Sequence, residues 1–148
     1  MKVHHVKPHG ALYNQAARTP NVASAITKAV DDFDPDLIVY GLSGSHLIKE
    51  AKALNLRTAN EVFADRTYQD DGSLSARTNP QALITNETLA LNQVLKMIKE
   101  QLVVSVNNVA VPIIADTICI HGDGLNAVNF AEVINQQLKN NNIEIRTI

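Results

Sequence analysis

The sequence contains 148 residues, with 45% hydrophobic and 19% charged side chains and a formal net charge of -2. This length predicts a single folded domain over residues 1–148. The small net charge and the scattered lysines and arginines argue against a nucleic-acid partner. No segment approaches the ~20 apolar residues of a membrane span, so no membrane partner is expected. Cys119 is the only cysteine, which excludes an internal disulfide and predicts a reducing, cytoplasmic location.

The chain opens with a predicted strand and two predicted helices. Residues 3–6 form the strand and residues 10–17 a short helix. Thr19 and Pro20 supply an N-cap and a proline at the first helical position of a longer helix, which ends near Pro35. The predicted inward face of this helix consists of Val22, Ile26, Ala29, Val30 and Phe33.

A strand, a helix and another strand follow. Residues 37–40 are an unbroken apolar run of strand length, and the glycine-rich loop 41–45 leads into a helix. The predicted inward face of that helix consists of Leu47, Ile48, Ala51 and Leu54. Residues 57–62 are the next predicted strand, and a long polar section follows them.

The second half of the chain continues the alternation. A helix begins at about Asn86, residues 117–120 form a strand, residues 126–138 a helix and residues 143–148 a last strand. Residues 103–106 and 109–114 predict either a short hairpin or two small strands. The two helices are predicted to bury Leu91, Val94, Leu95, Ile98 and Leu102, and Ala127, Phe130, Ala131, Ile134 and Leu138. Short buried strands that alternate with amphipathic helices indicate a parallel α/β architecture.

Polar residues concentrate where the first predicted strand ends. Lys7 offers a fixed cation or a proton donor, His9 offers an acid or a base, and Gly10 lets the backbone approach a ligand closely. Tyr13 and Asn14 follow in the same run. A helix entrance in which His9 caps backbone groups would explain that histidine alone. The coincidence of these polar residues at a strand end favours a functional site.

A second polar cluster follows the strand predicted at residues 117–120. His121 stands two residues before Asp123, with Gly122 and Gly124 beside them. The glycines can expose backbone N–H groups at a helix N-terminus, which suits a carboxylate or a phosphate. Asp123 can instead be a simple N-cap, and both interpretations remain open.

Two further loops follow predicted strands. In the long loop 61–77, Asp65 and Arg66 come directly after an apolar segment, although charge runs often mark only a solvated surface. The loop 41–45 could contact an anion, and Ser45 could equally be an N-cap. Because loops after the carboxyl ends of parallel strands gather at one face, the sequence predicts one shared pocket.

A metal site is conceivable but is not predicted. Ligands could come from His9, Asp65, His121 and Asp123, which follow different strands. Neither HExxH nor CxxC spacing occurs in the sequence, so nothing supports a metal beyond the residue types.

Three motifs together resemble the LamB/YcsF family. They are VKPHGALYNQAA from Val6, EVFADRTYQDDGSL from Glu61 and CIHGDG from Cys119. They stand in the order and at about the separations that the family shows, and the resemblance runs through nearly the whole chain. The best-understood members of the family are A subunits of 5-oxoprolinase.

The resemblance implies a parallel (β/α) barrel related to polysaccharide deacetylase and glycosidase barrels. It also implies ATP-dependent opening of 5-oxoproline, a small cyclic amide, to glutamate, with subunits B and C as partners. In that reaction ATP would phosphorylate the lactam oxygen and water would cleave the activated ring. The catalytic candidates are Lys7, His9, Asp65, His121 and Asp123, and the substrate-binding candidates are Tyr13, Asn14, Arg66 and Gly122.

Family members are longer at the N-terminus, so the chain corresponds to the C-terminal portion of the barrel. An incomplete barrel would leave strand edges and apolar faces uncovered, which predicts a homo-oligomer paired through residues 3–6 or 143–148. Two alternatives to the oxoprolinase component stay open. One is a metal-dependent, deacetylase-like hydrolase, and the other is a non-catalytic assembly or ligand-binding remnant of the family protein.

Overall fold

The computed structural model describes residues 3–122 and 127–148. The predicted α/β class is confirmed, because helices alternate with strands along the chain and the first three strands pair in parallel. The helices are Ala11–Arg18 (α1), Pro20–Phe33 (α2), His46–Ala53 (α3), Glu87–Lys99 (α4) and Ala127–Asn140 (α5). The strands are His5–Val6 (β1), Ile38–Leu42 (β2), Thr58–Phe63 (β3), Leu102–Val104 (β4), Ala110–Pro112 (β5) and Thr117–Cys119 (β6).

The chain divides into two compact units. The first runs to Glu61 and includes Ile114–Thr117, and the second consists of Val62–Ile113 and Ile118–Ile148. The strand order is β1-β2-β3-β6, and β4 and β5 form a separate two-stranded sheet. Within the described residues, no helix combines the length and the hydropathy that a membrane crossing requires.

In the first unit, β2 lies between β1 and β3, and both neighbours run parallel to it. One face of this sheet packs against α1, α2 and α3 through a buried cluster that includes Val39, Leu47 and Ala51. Successive side chains of a strand point to opposite faces. The register, which pairs His5 with Ile38 and Leu42 with Glu61, therefore places His5 and Glu61 on the other face.

In the second unit, α4 and α5 pack together over the end of β3. Their shared core contains Ala64, Val94, Phe130 and Ile134. The strands β4 and β5 pair antiparallel, with Val103 opposite Val111, so the hairpin alternative is correct. Asn108 adopts a positive φ of 60°, a conformation that asparagine tolerates in tight turns.

Several predicted core positions were wrong. Phe33 is 78% exposed because it is the last residue of α2, whose buried side chains are Ala23, Thr27 and Val30. Ala29, on the same helix, and Ala131, on α5, are also exposed. The buried residues of α5 are Phe130, Ile134 and Leu138, spaced four apart, and a position one residue along is rotated by about 100° away from that line.

Two other predictions in the second unit need correction. Helix α4 buries Ala90, Val94 and Met97. The predicted Leu95 and Ile98 are partly buried and pack against the same core, and Leu91 is half-buried. Leu102 does not belong to that helix, because α4 ends at Lys99 and Leu102 begins β4. Residues 143–148 form no strand and are mostly exposed, so the predicted last strand is wrong.

Candidate functional site

An ion pair joins two strands in the first unit. Lys7 follows β1 directly, and its Nζ lies 2.6 Å from Oε1 of Glu61, on β3. The Glu61 side chain is 4% exposed, and that of Lys7 is 32% exposed. A carboxylate this deeply buried needs an opposite charge, because its desolvation is costly. The pair therefore fixes the ammonium group of Lys7 over the carboxyl-terminal half of the sheet.

Helix α1 supplies the other side of this cluster. Its buried Tyr13 presents an aromatic ring whose centroid lies 5.6 Å from Lys7 Nζ, within range of a cation–π interaction. Gly10, the N-cap, has a φ of 59° and a ψ of -129°, which strongly favours glycine. Asn14 donates from Nδ2 to the Gly10 carbonyl at 3.4 Å. His9 is exposed, and its catalytic role stays a prediction.

An aspartate and a histidine form the corresponding cluster in the second unit. Asp65 lies two residues beyond the end of β3, and His121 lies two residues beyond the end of β6. The His121 backbone N–H donates to Asp65 Oδ2 at 3.0 Å, and ring Nδ1 lies 3.0 Å from each carboxylate oxygen. The side chains of His121 and Asp65 are 23% and 14% exposed. One carboxylate thus holds both the backbone and the ring of this histidine.

This contact determines which ring nitrogen of His121 can react. A carboxylate accepts hydrogen bonds, so the favoured tautomer carries its proton on Nδ1 and leaves Nε2 as the basic nitrogen. Phe63 stacks on the imidazole, with ring centroids 5.4 Å apart and an interplanar angle of 24°. The ring is therefore oriented by a carboxylate on one edge and by an aromatic face. Such an imidazole can accept a proton, donate one or bind a metal through Nε2.

Arg66 is buried and helps to hold the loop that follows β3. Its Nε donates to the Ala82 carbonyl at 3.2 Å and its Nη2 to the Ser75 carbonyl at 2.6 Å. Burial lowers the pKa of Arg66, and the nearby Arg77 lowers it further, while Asp65 acts in the opposite direction. Its predicted role in binding substrate stays a prediction.

The glycine-rich loop between β2 and α3 uses its serine hydroxyls internally. Ser45 is the N-cap of α3, and its side chain accepts a hydrogen bond from the Ile48 N–H. Ser43 Oγ accepts one from the Ile114 N–H at 2.9 Å. Both serines are buried. The N-cap alternative for Ser45 is therefore correct.

Within each unit, the structure places two of the predicted site residues together. Lys7 lies with Tyr13 in one unit, and Asp65 lies with His121 in the other. Gly122 is an exposed turn residue, and Asp123 lies outside the described residues. Across residues 3–122 and 127–148, no three His, Cys, Asp or Glu side chains converge to form a metal-binding group.

Sequence reasoning did not select two residues that build these clusters. Glu61 falls in both the predicted strand 57–62 and the polar loop 61–77 and was given no role, although a glutamate between Asn60 and Val62 within a predicted strand was a signal of a buried charge. Gln93 lies on α4, and its amide contacts the turn that carries Asp65. The residue pattern of α4 does not distinguish Gln93 from a solvent-exposed glutamine.

Comparisons with known proteins agree in one family. The model of the LamB/YcsF family matches residues 1–148. The 5-oxoprolinase A subunit of Geobacillus kaustophilus is 56% identical over 142 residues, which are 96% of this chain and 56% of that protein. The Staphylococcus saprophyticus protein of the same name is 54% identical over 145 residues, covering 98% of this chain and 58% of the relative.

A solved structure shows the same fold. The crystal structure of a lactam utilization protein from Thermus thermophilus superimposes with a TM-score of 0.89 and 37% sequence identity. The match covers 100% of this chain and 59% of that one. The chain thus spans somewhat more than half the length of the relatives it matches.

Proposed function

The chain belongs to the LamB/YcsF family, and from this premise we propose that the protein containing it is a component of a 5-oxoprolinase that opens 5-oxoproline to glutamate. Two relatives named as 5-oxoprolinase A subunits, both more than half identical to the chain, support the proposal. The name of the related Thermus thermophilus structure, a lactam utilization protein, agrees with a cyclic amide as substrate.

The oriented histidine carries the proposal on the structural side. Opening a lactam requires a base that removes a proton from water and an acid that protonates the departing ring nitrogen. His121 can do both through Nε2, because Asp65 engages Nδ1. In the proposed reaction, the water oxygen bonds to the lactam carbonyl carbon and the water proton moves to Nε2. The carbon–nitrogen bond then breaks, and the same proton passes to the nitrogen.

ATP is proposed to activate the lactam in the complete enzyme. The hydroxyls of Ser43 and Ser45, in the loop between β2 and α3, are buried and each accepts a backbone hydrogen bond, which gives both of them a structural role in the first unit. We therefore assign no described residue to ATP and derive no step of the reaction through it.

The Lys7 cluster is proposed to bind an anionic part of the substrate in its own unit. Both the Glu61 carboxylate and the Tyr13 ring interact with the ammonium group, and this restraint reduces the entropy lost when a ligand binds. His9 and Asn14 follow Lys7 in the same segment and are proposed to assist it.

Subunits B and C are the proposed partners, and a homo-oligomer and a cytoplasmic location belong to the same proposal. The relatives are named as A subunits, which supports an enzyme built from several different chains.

An assay of the assembled enzyme tests the proposal. The protein containing this chain is mixed with subunits B and C, ATP and 5-oxoproline, and glutamate is measured with and without each component. Glutamate that forms only in the complete mixture is the expected result. Its absence, together with hydrolysis of an acetylated sugar that depends on added metal, would favour the deacetylase-like alternative. Assembly without any turnover would favour a non-catalytic role.

A further inference from the structure

The side-chain amide of Gln93 binds the turn that carries Asp65. From α4, its Nε2 donates to the carbonyls of Phe63 at 3.1 Å, Ala64 at 3.3 Å and Arg66 at 2.9 Å. These carbonyls surround Asp65 in the sequence. An amide nitrogen carries two hydrogens, so three acceptors share them in partly bifurcated bonds. Gln93 therefore contacts the backbone on both sides of one site residue.

The hydrogen bonds of Gln93 lie where the backbone ladder between β3 and β6 would otherwise continue. In the parallel pair of β2 and β3, Val39 is paired with Thr58, and its N–H donates to the carbonyl of the preceding residue, Arg57. The carbonyl of Val39 is then placed to accept from the residue after Thr58. In the second unit, the Ala64 N–H donates to the Cys119 carbonyl at 3.0 Å. Continued by the same rule, the ladder would bring the N–H of His121 to the Ala64 carbonyl.

The structure departs from the ladder at this step. The His121 N–H donates to Asp65 Oδ2, and the Ala64 carbonyl accepts from Gln93 instead. The Gln93 amide thus takes the place of the His121 N–H at the Ala64 carbonyl, and the His121 N–H donates to the Asp65 carboxylate. The exchange keeps every one of these groups hydrogen-bonded.

We propose that Gln93 is the positioning residue of the Asp65–His121 pair. By occupying the Ala64 carbonyl, it ends the ladder one step early and directs the His121 N–H to Asp65. Without those donors, the Ala64 carbonyl would compete for the His121 N–H and draw the backbone of His121 back into the sheet. The ring contact between Asp65 and Nδ1 would then be lost. The consequence for catalysis rests on the proposed function, but the positioning role does not.

The first test needs no variant. Scalar coupling across the hydrogen bond of the His121 N–H, measured by NMR on the isotopically labelled chain, identifies the acceptor atom. Coupling to Asp65 Cγ is the expected result. Coupling to the carbonyl carbon of Ala64 would overturn the proposal.

The second test changes the donors of Gln93. Gln93→Met keeps the length of the side chain and removes the donors, and Gln136→Met makes the same change at an exposed site on α5. We expect Gln93→Met to speed hydrogen exchange of the His121 N–H by roughly tenfold or more and to replace the single Nδ1–H tautomer by a mixture. Gln136→Met should change neither. Unchanged exchange and tautomer in a folded Gln93→Met protein would overturn the proposal.

A third variant, Gln93→Lys, keeps the proposal testable if Gln93→Met does not fold. Gln93→Lys restores N–H donors at nearly the same place, so it should keep the wild-type tautomer of His121. If this variant folds but loses that tautomer, the proposal is wrong. If the two substitutions behave as expected and the assembled enzyme still makes no glutamate, the proposed function fails while the positioning role stands.

Discussion

The two polar clusters use acidic residues only four positions apart, Glu61 and Asp65, in different ways. Glu61 lies inside β3, is almost fully buried and binds a full positive charge at 2.6 Å. Asp65 lies beyond the end of the strand, is more exposed and receives a backbone N–H and a ring nitrogen at 3.0 Å. An acid within the strand mainly holds a charge. A carboxylate beyond the end of the strand can instead orient a side chain that takes part in the reaction.

The largest expected effect concerns the histidine. His121→Ala should lower turnover of the assembled enzyme by about a thousandfold, the middle of the range for losing a general acid–base group. The chain should stay folded, because the ring is partly exposed. Steady-state glutamate formation measures the loss, and His4→Ala, at an exposed residue before β1, is the control. A loss below about tenfold would remove His121 from the proton-transfer role.

The ion pair between Lys7 and Glu61 should contribute more to the free energy of unfolding than to turnover. Lys7→Met leaves the carboxylate of Glu61 buried without its cation, so unfolding in urea should show a loss of about 3 kcal/mol, the lower end for breaking a buried pair. That estimate reflects the partial exposure of Lys7. The double variant Lys7→Met with Glu61→Gln should recover part of this loss. Equal losses in the single and double variants would show that the burial of Glu61 does not depend on Lys7.

Asp65→Asn should have an intermediate effect. The amide keeps the shape and can still accept from the His121 N–H, but it no longer selects the ring tautomer as a carboxylate does. We expect turnover to fall by roughly thirtyfold, equivalent to about 2 kcal/mol. Stability should change much less than in Lys7→Met. A stability loss as large as that of Lys7→Met, measured in the same urea titration, would erase the contrast between the two acids.

The smallest predicted effect gives a reference for both clusters. Ser45→Ala removes the N-cap of α3 and should cost about 1 kcal/mol of stability. It should leave turnover within about twofold, because a cap loss acts locally. Thermal or urea unfolding together with the glutamate assay checks both values. A large drop in turnover would place this loop in the reaction after all.

The fold was largely predictable because its strands and helices carry strong local signals. Thr19 before Pro20 and the apolar run at β2 predicted their elements correctly, and the strand predicted at residues 57–62 is observed as β3. Errors came where helical phase or burial depends on tertiary neighbours, as at Phe33 and Ala131. The apolar alternation of residues 143–148 also predicted a strand, but an isolated segment needs a neighbouring strand to pair with.

The candidate site was predictable only in part. Asp65 and His121 were selected because each follows a strand, and the structure places them in contact. Glu61 and Gln93 were not selected, since their roles depend on Lys7 and on the carbonyls of the β3 turn, which are distant in sequence. Local residue spacing does not identify polar residues whose partners are distant in the sequence.

The central claim is that Asp65 acts on the reaction through His121, and a double-mutant cycle in turnover tests it most directly. Residues that act as one unit have non-additive effects. Adding Asp65→Asn to His121→Ala should therefore lower glutamate formation by less than about twofold beyond His121→Ala alone. A further loss of roughly thirtyfold, equal to the effect of Asp65→Asn on the wild-type enzyme, would contradict the account.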